Sequence, residues 1–265
     1  MRSIRKDAGL LGRQLAERAG WDASKVSRIE CGRRPPSADD VRVWCEVCGA
    51  ADQAPDLVSS LEAIEGTYVT WRELERSGLA VSQRAVIPRW ERTNHFRIYS
   101  SKLIPGPLQT ASYVKAILTT LRRRRGLADD IDEAVRVRMG KQHVINDPHR
   151  RFAILLEENV LRHPIGGAEA MAGQLGHLLT TGVLPNVSLG IIPLGAVRTS
   201  AWPMEGFWMF DDSEVTVELV SGHLTLTQAH EVGAYAAVFS DLAELAMYGK
   251  GARELITSAL AALDA

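Results

Sequence analysis

Leu15–Arg34 reads LAERAGWDASKVSRIECGRR, and its periodicity decides what the N-terminal end becomes. Leu11, Leu15 and Ala19 recur on one helical face with Ala16 beside them, while Arg13, Glu17 and Arg18 fall elsewhere. Gly20 interrupts the pattern, since glycine takes the left-handed conformation that a tight turn needs. Asp22 follows Trp21 and is placed to cap a second helix, its carboxylate accepting free N–H groups. That helix, ASKVSRIE, turns Val26 and Ile29 inward and ends at Gly32. Ala16 is small where the two helices must cross. A basic, non-helical Arg33-Arg34-Pro35-Pro36 comes next. Helix, short turn with Gly, helix is a helix-turn-helix. The outward face of its second helix carries Ser24, Lys25, Ser27 and Arg28, short or basic side chains suited to base edges and phosphates. A helical hairpin with a merely solvated charged face is the alternative that periodicity alone leaves open.

The charge of the chain is distributed in the same sense. Over 265 residues the formal net charge is −1, which argues against a wholly basic nucleic-acid coat protein. Residues 1–34, however, hold nine Lys/Arg and four Asp/Glu, leaving that end at +5 and the other 231 residues at −6. A basic end on an acidic body is the asymmetry expected of a DNA-binding head. With 46% apolar residues the chain can bury a sizeable core, enough for one large or two ordinary domains. Cys31, Cys45 and Cys48 are odd in number and clustered, so they do not read as a disulfide framework. The Cys45-x-x-Cys48 pair lacks a second pair or a His cluster, and a cysteine on an apolar helical face reads as core rather than as a zinc ligand. No apolar run reaches membrane-spanning length and the basic N-terminus lacks an apolar signal core, so a reduced cytoplasmic location is expected.

The stretch LAERAGWDASKVSRIECGRRPPS, Leu15–Ser37, resembles the Xre-type (lambda/434 repressor-like) helix-turn-helix, because several spacings agree at once. That resemblance implies base-reading positions at Ala23, Ser24 and Arg28. It implies backbone-phosphate contacts at Lys25, Ser27, Arg33 and Arg34. It also places Arg5 and Glu30 as a structural ion pair tying the first helix to the recognition helix. Ala23 stands where the family often has Gln, which exchanges polar reach for contact with a thymine methyl. MRSIRKDAGL gives the first helix about two turns at 3.6 residues each, short for such a head. The reading therefore allows a start upstream of Met1 or a marginally stable head.

Beyond the hairpin, Ser37 is the expected N-cap for a helix whose Val41, Trp44, Cys45 and Cys48 form an apolar stripe ending at Gly49. Residues 51–92 read as a helical connector, without Gly/Ser-rich or low-complexity runs, anchored by Trp71, Leu74 and Leu79. Residues 93–265 read as a second domain. HFRIY, RFAILLEE and VSLGIIP are expected strands, and GFWMF and VTVELV a hairpin around Asp211-Asp212. Helices are expected after Thr110, over DDIDEAVRVRMGKQHVI, after Gly166-Gly167, and over the last forty or so residues. The fold class that follows is mostly α with a smaller mixed sheet, α+β, in three parts: 1–50, 51–92 and 93–265. IPGPLQT, RVRMGKQ, FAILLEENVLR, VSLGIIP and VTVEL resemble a sensor-like domain of unknown function that follows Xre-type heads in actinobacteria. Pro107 departs from the Leu usual there. The resemblance implies an antitoxin-like regulator paired with a small partner protein.

Catalytic signatures are scarce. There is no G-x-S-x-G, Walker A, G-x-G-x-x-G or H-E-x-x-H. Glu157-Glu158 near His163 would suit acid–base work but equally an ordinary strand-to-helix turn. His177, His223 and His230 have no metal spacing. Trp202, Phe207 and Trp208 near Glu205 would line a ligand pocket or pack at a sheet edge. The expectation is a sequence-specific regulator that binds double-stranded DNA as a homodimer, with no catalytic set, metal or cofactor. The alternative is a small-molecule-binding or enzymatic C-terminal domain regulated by the head.

Overall fold

Gly20 stands at φ 68°, ψ 30° in the computed structural model of the chain, which describes residues 1–263, less the side chains of 59 and 62–66. In that left-handed position it lets the Trp21 N–H reach back to the Ala16 carbonyl at 2.8 Å, closing the end of the preceding helix. The described residues fall into two compact units that divide between Tyr68 and Val69.

The first unit is all helical: α1 (Arg2–Asp7), α2 (Gly12–Ala19), α3 (Ala23–Glu30), α4 (Ala38–Val47) and α5 (Ala54–Thr67). Leu15, Ala16, Val26, Ile29 and Trp44 form its central cluster. Val41 and Cys45 on the same α4 pack against Ala54 and Val58 of α5. Asp22 caps α3 by accepting from the Ser24 N–H at 2.7 Å. Ser37 caps α4 through the Asp40 N–H, and the Asp40 carboxylate accepts from the Ser37 N–H in return, a reciprocal capping box. Leu11 differs from expectation: it is the N-cap of α2 and 53% exposed. The helix starts one residue later than the apolar pattern suggests, so the inward face begins at Leu15.

The second unit runs β1 (Tyr68–Thr70), α6 (Trp71–Leu74), α7 (Leu79–Ala85), α8 (Ile87–Arg92), β2 (His95–Ser100), α9 (Ala111–Arg125), α10 (Ile131–Gly140), β3 (Arg151–Glu157), α11 (Ala168–Thr181), β4 (Val187–Ile192), β5 (Phe207–Phe210), β6 (Glu214–Glu218), β7 (Gly222–Leu226), α12 (Ala229–Glu244) and α13 (Gly249–Ala261). Its sheet has the order β1-β7-β6-β5-β2-β3-β4. β2, β3 and β4 are parallel, joined by helical crossovers, and β5, β6 and β7 continue antiparallel. Period-two alternation sorts the side chains. Phe96, Ile98, Phe152, Ile154, Leu156 and Phe210 join Tyr113, Met171, Leu175 and Ile256 in one core. Tyr99, Leu155, Phe207, Met209, Val215 and Val217 face Val232, Phe239 and Leu242 of α12 in the other. The chain is thus α+β, a helical head and an α/β unit with a mixed sheet.

Several elements differ from the sequence expectation. Residues 51–92 lie on both sides of the division at 68/69. α5 packs with α4, while Trp90 of α8 sits in the second unit's core. β1 and β7 were not expected. β7 forms a tight hairpin with β6, the Leu219 N–H bonding the Gly222 carbonyl at 2.9 Å. GHLTL is too short to reveal a strand by itself and acquires one only from its partner.

Candidate nucleic-acid interface

α3 is about 12 Å long at 1.5 Å per residue, and its two edges are tied down by ion pairs. At its C-terminal end Glu30 accepts from Arg5 Nε at 2.6 Å and Arg5 Nη2 at 3.0 Å, and from Arg2 Nε at 3.3 Å. Arg5 also donates to the Leu10 carbonyl at 2.6 Å. The Arg5 hydrogen bond holds the Glu30 carboxyl below its ordinary value against the opposing effect of burial. α1 is short, yet this pair and the Trp44 indole N–H, which donates to the Met1 carbonyl at 3.1 Å, fasten it to the head.

On the other edge Lys25 Nζ lies 2.5 Å from Asp40 Oδ1 and 3.9 Å from the Trp21 ring centroid. Burial raises the Asp40 carboxyl, but the Lys25 hydrogen bond and the Ser37 N–H outweigh it and the net shift is downward. Lys25, expected at a phosphate, is therefore engaged within the head. Asp40 was not singled out by the sequence reading, although the S-x-x-D spacing from Ser37 to Asp40 carries the capping-box signal.

The remaining expected residues share the open face of α3 and the loop after it. Ala23, Ser24, Ser27, Arg28, Arg33 and Arg34 are all exposed. Arg28 lies back along the helix, Nε donating to the Ser24 carbonyl and Nη2 to Ser24 Oγ, both at 3.2 Å. At the start of α2 the Leu11 N–H donates to Gln14 Oε1 at 2.8 Å, holding Gln14 over that helix end, with exposed Arg13 beside it. Neither was expected at the site; their position at a helix N-terminus is the signal that would have found them. Among the described residues, Lys6, Arg13, Arg18, Arg28, Arg33 and Arg34 are exposed cations outside the unit's ion pairs. By contrast residues 35–68 carry one Arg against seven Asp/Glu, so the head itself is polarised.

In the second unit the suspected catalytic groups are engaged structurally. Glu157 accepts from the Tyr99 hydroxyl at 2.8 Å and from Arg198 at 2.5 Å. Glu158 accepts from Arg162 and from the Leu194 N–H. Trp202 is exposed, Phe207 is buried against α12, and Trp208 packs on the opposite sheet face against Trp90, so these aromatics do not converge. Cys45 is fully buried, and burial pushes its thiol up. Among the described residues no three His, Cys, Asp or Glu side chains gather into a metal-sized group, and no helix is long and apolar enough to cross a membrane.

The fold and this face define a helix-turn-helix protein with an α/β second unit, and residues 1–57 match the family described as a helix-turn-helix domain. Residues 90–258, more than half of the chain, match the family described as a domain of unknown function (DUF5753), and the chain belongs to that family. No curated protein matches the sequence. Among solved structures, that of TrmBL2, described as an archaeal chromatin protein with a novel mode of DNA binding, matches at 12% identity and a TM-score of 0.33. The match covers 78% of this chain and 66% of that one, just under two thirds of its length. A likeness this distant carries no argument about function.

Proposed function

We propose that the chain is an Xre-type transcriptional regulator that binds double-stranded DNA sequence-specifically through the open face of α3. The observation carrying this reading is the geometry of that face: a short helix pinned on both edges by ion pairs, with Ala23, Ser24, Ser27 and Arg28 exposed on it and Arg33 and Arg34 exposed on the loop after it, none of the three arginines in an ion pair among the described residues. In this reading Arg33 and Arg34 neutralise phosphates, Ser24 and Arg28 read base edges, and Ala23 meets a thymine methyl. Ser27 joins the backbone contacts. One head of this size buries too little surface for tight binding, so a homodimer on half-sites about one helical turn apart is proposed. Antitoxin-like autoregulation with a small partner protein, an actinobacterial source and a cytoplasmic setting complete the proposal.

The experiment is binding of the purified chain to its own promoter duplex and to a scrambled duplex over a salt series. The expected result is preference for the promoter, with log affinity falling by about 0.9 per tenfold rise in salt for each phosphate neutralised. Arg28→Ala should relax sequence preference, and Arg34→Ala should weaken both duplexes alike. The reverse pattern would overturn the assignment of base-reading and phosphate roles. Absence of binding to either duplex at low salt would overturn the DNA reading.

A further inference from the structure

α10 and the 3₁₀ turn after it place two cations one turn apart in the second unit, Arg138 and Lys141. Lys141 is 7% exposed. Its Nζ donates to Gln83 Oε1 at 3.0 Å and lies 4.9 Å from the centroid of the Trp90 ring. Arg138 is half-buried, and its Nε is sealed from solvent without an acceptor among the described residues.

The surrounding carboxylates are already committed. Glu75 is paired with Arg125, and Glu214 with Arg89 at 2.6 Å and Arg92 at 3.2 Å. Among the described residues Glu218, exposed at the end of β6, is the one carboxylate that acts on both Arg138 and Lys141, and it forms no ion pair with either. His223, opposite Glu218 in the β6–β7 ladder, is lowered by burial and adds no further positive charge in neutral solution. Tyr113, whose field reaches Arg138, is buried and pushed further from ionising.

Buried charges are normally paired, because an isolated one loses its hydration without repayment. Here two like charges lie close enough to act on one another, and neither forms an ion pair among the described residues. Burial first, and Arg138 second, push the Lys141 ammonium down to about 7, so it sits at the point of losing its proton in neutral solution. An anion arriving there would be met by two donors and would restore that proton. The depth of Lys141 excludes the backbone of a duplex, whose phosphates cannot enter between packed side chains, whereas half-buried Arg138 keeps part of its surface in solvent.

We propose that Arg138 and Lys141 form a binding site for a small soluble oxyanion, the carboxylate or phosphate group of a ligand, which supplies the missing counter-charge. The site lies wholly in the second unit and stands independently of what the first unit binds.

The test is calorimetric titration of the full chain at pH 7.5 with two probes. Sodium sulfate represents a phosphate group without titrating near neutrality, and sodium acetate represents a carboxylate. Each is run in two buffers of different ionisation enthalpy at constant ionic strength. The expected result is saturable binding of at least one probe in the millimolar range or tighter. It is accompanied by proton uptake, as Lys141 recharges from a value near 7. Sulfate alone would identify a phosphate site, acetate alone a carboxylate site, and both a general oxyanion site. Lys141→Met and Arg138→Gln should each weaken binding at least tenfold. If either variant fails to fold, proton uptake by the unaltered chain still decides. No saturable binding up to about 50 mM, binding without proton uptake, or unchanged binding in folded variants would overturn the proposal.

Discussion

Replacing Glu30 by alanine tests how α3 is held. Its carboxylate takes two hydrogen bonds from Arg5, at 2.6 and 3.0 Å, with side-chain exposures of 8% for Glu30 and 11% for Arg5. Removing one partner of such a pair costs about 3–5 kcal/mol, because the other charge stays buried and unpaired. Arg5 keeps its bond to the Leu10 carbonyl, which places the cost near the lower end, about 3 kcal/mol. A unit of 68 residues has only about 3–10 kcal/mol of stability in all. The open population of the head should therefore rise about a hundredfold. Hydrogen exchange followed by mass spectrometry reads this directly: peptides from α1 and α3 lose about two decades of protection, with α9 and α11 peptides as the reference. The pH dependence has a definite sign. The Glu30 carboxyl is lowered in the fold, so its contribution is present above the ordinary glutamate value and is lost as pH falls through the lowered one. A loss of protection under tenfold in Glu30→Ala would refute the reasoning and reduce the pair to an ordinary surface salt bridge.

Three further predictions rest on other parts of the chain. Asp40→Asn removes the counter-charge of Lys25 and should cost the head about 1 kcal/mol; the freed ammonium should steepen the salt dependence of DNA binding by up to about 0.9. Gly190→Ala puts a Cβ 2.8 Å from the Tyr248 ring and 2.9 Å from Leu155 Cδ2, and overpacking of that kind should lower stability by about 1–3 kcal/mol in urea unfolding. Lys141→Met, measured without added anion, should stabilise the chain by at most about 5 kcal/mol near pH 6. Lys141 titrates near 7 in the fold, below its ordinary 10.5, so its penalty is full below 7 and fades as pH rises toward 10.5. Equal gains at pH 6 and pH 10 would refute it.

The head was legible because its signals are local. Asp22, Ser37 and Gly20 announce helix ends by their own chemistry, and Leu15, Val26 and Ile29 by their spacing. The Arg5–Glu30 contact spans 25 residues and came from the family resemblance, since no periodicity joins those positions. Lys25 shows the limit of reading one helix alone. Its outward place on α3 is visible in the sequence, but its ion pair with Asp40 depends on how α4 crosses α3. In the second unit the parallel strands were readable as apolar runs. The edge strands β1 and β7 were not, because short, partly polar segments become strands only through a neighbour's hydrogen bonds. The Arg138–Lys141 site was invisible for the same reason: its character lies in which carboxylates other elements have already consumed.

Counting charges residue by residue, rather than by net total, changes what the head offers a partner. Nine basic residues in 1–34 suggest a diffuse positive end. Arg2, Arg5 and Lys25 are spent inside the fold on Glu30 and Asp40. Of the other six, Arg13 lies at the start of α2 and Arg28, Arg33 and Arg34 lie on α3 and the loop after it. Among the described side chains of 35–68, Asp40 is the one carboxylate in the pairs that hold α3. A polyanion therefore gains from contact with the free cations and is repelled by the segment that follows. That polarity favours one docking orientation without any base contact. In the proposed reading, sequence discrimination then rests on Ala23, Ser24 and Arg28, exposed on α3, the last two of which exchange their mutual hydrogen bonds for contacts to bases.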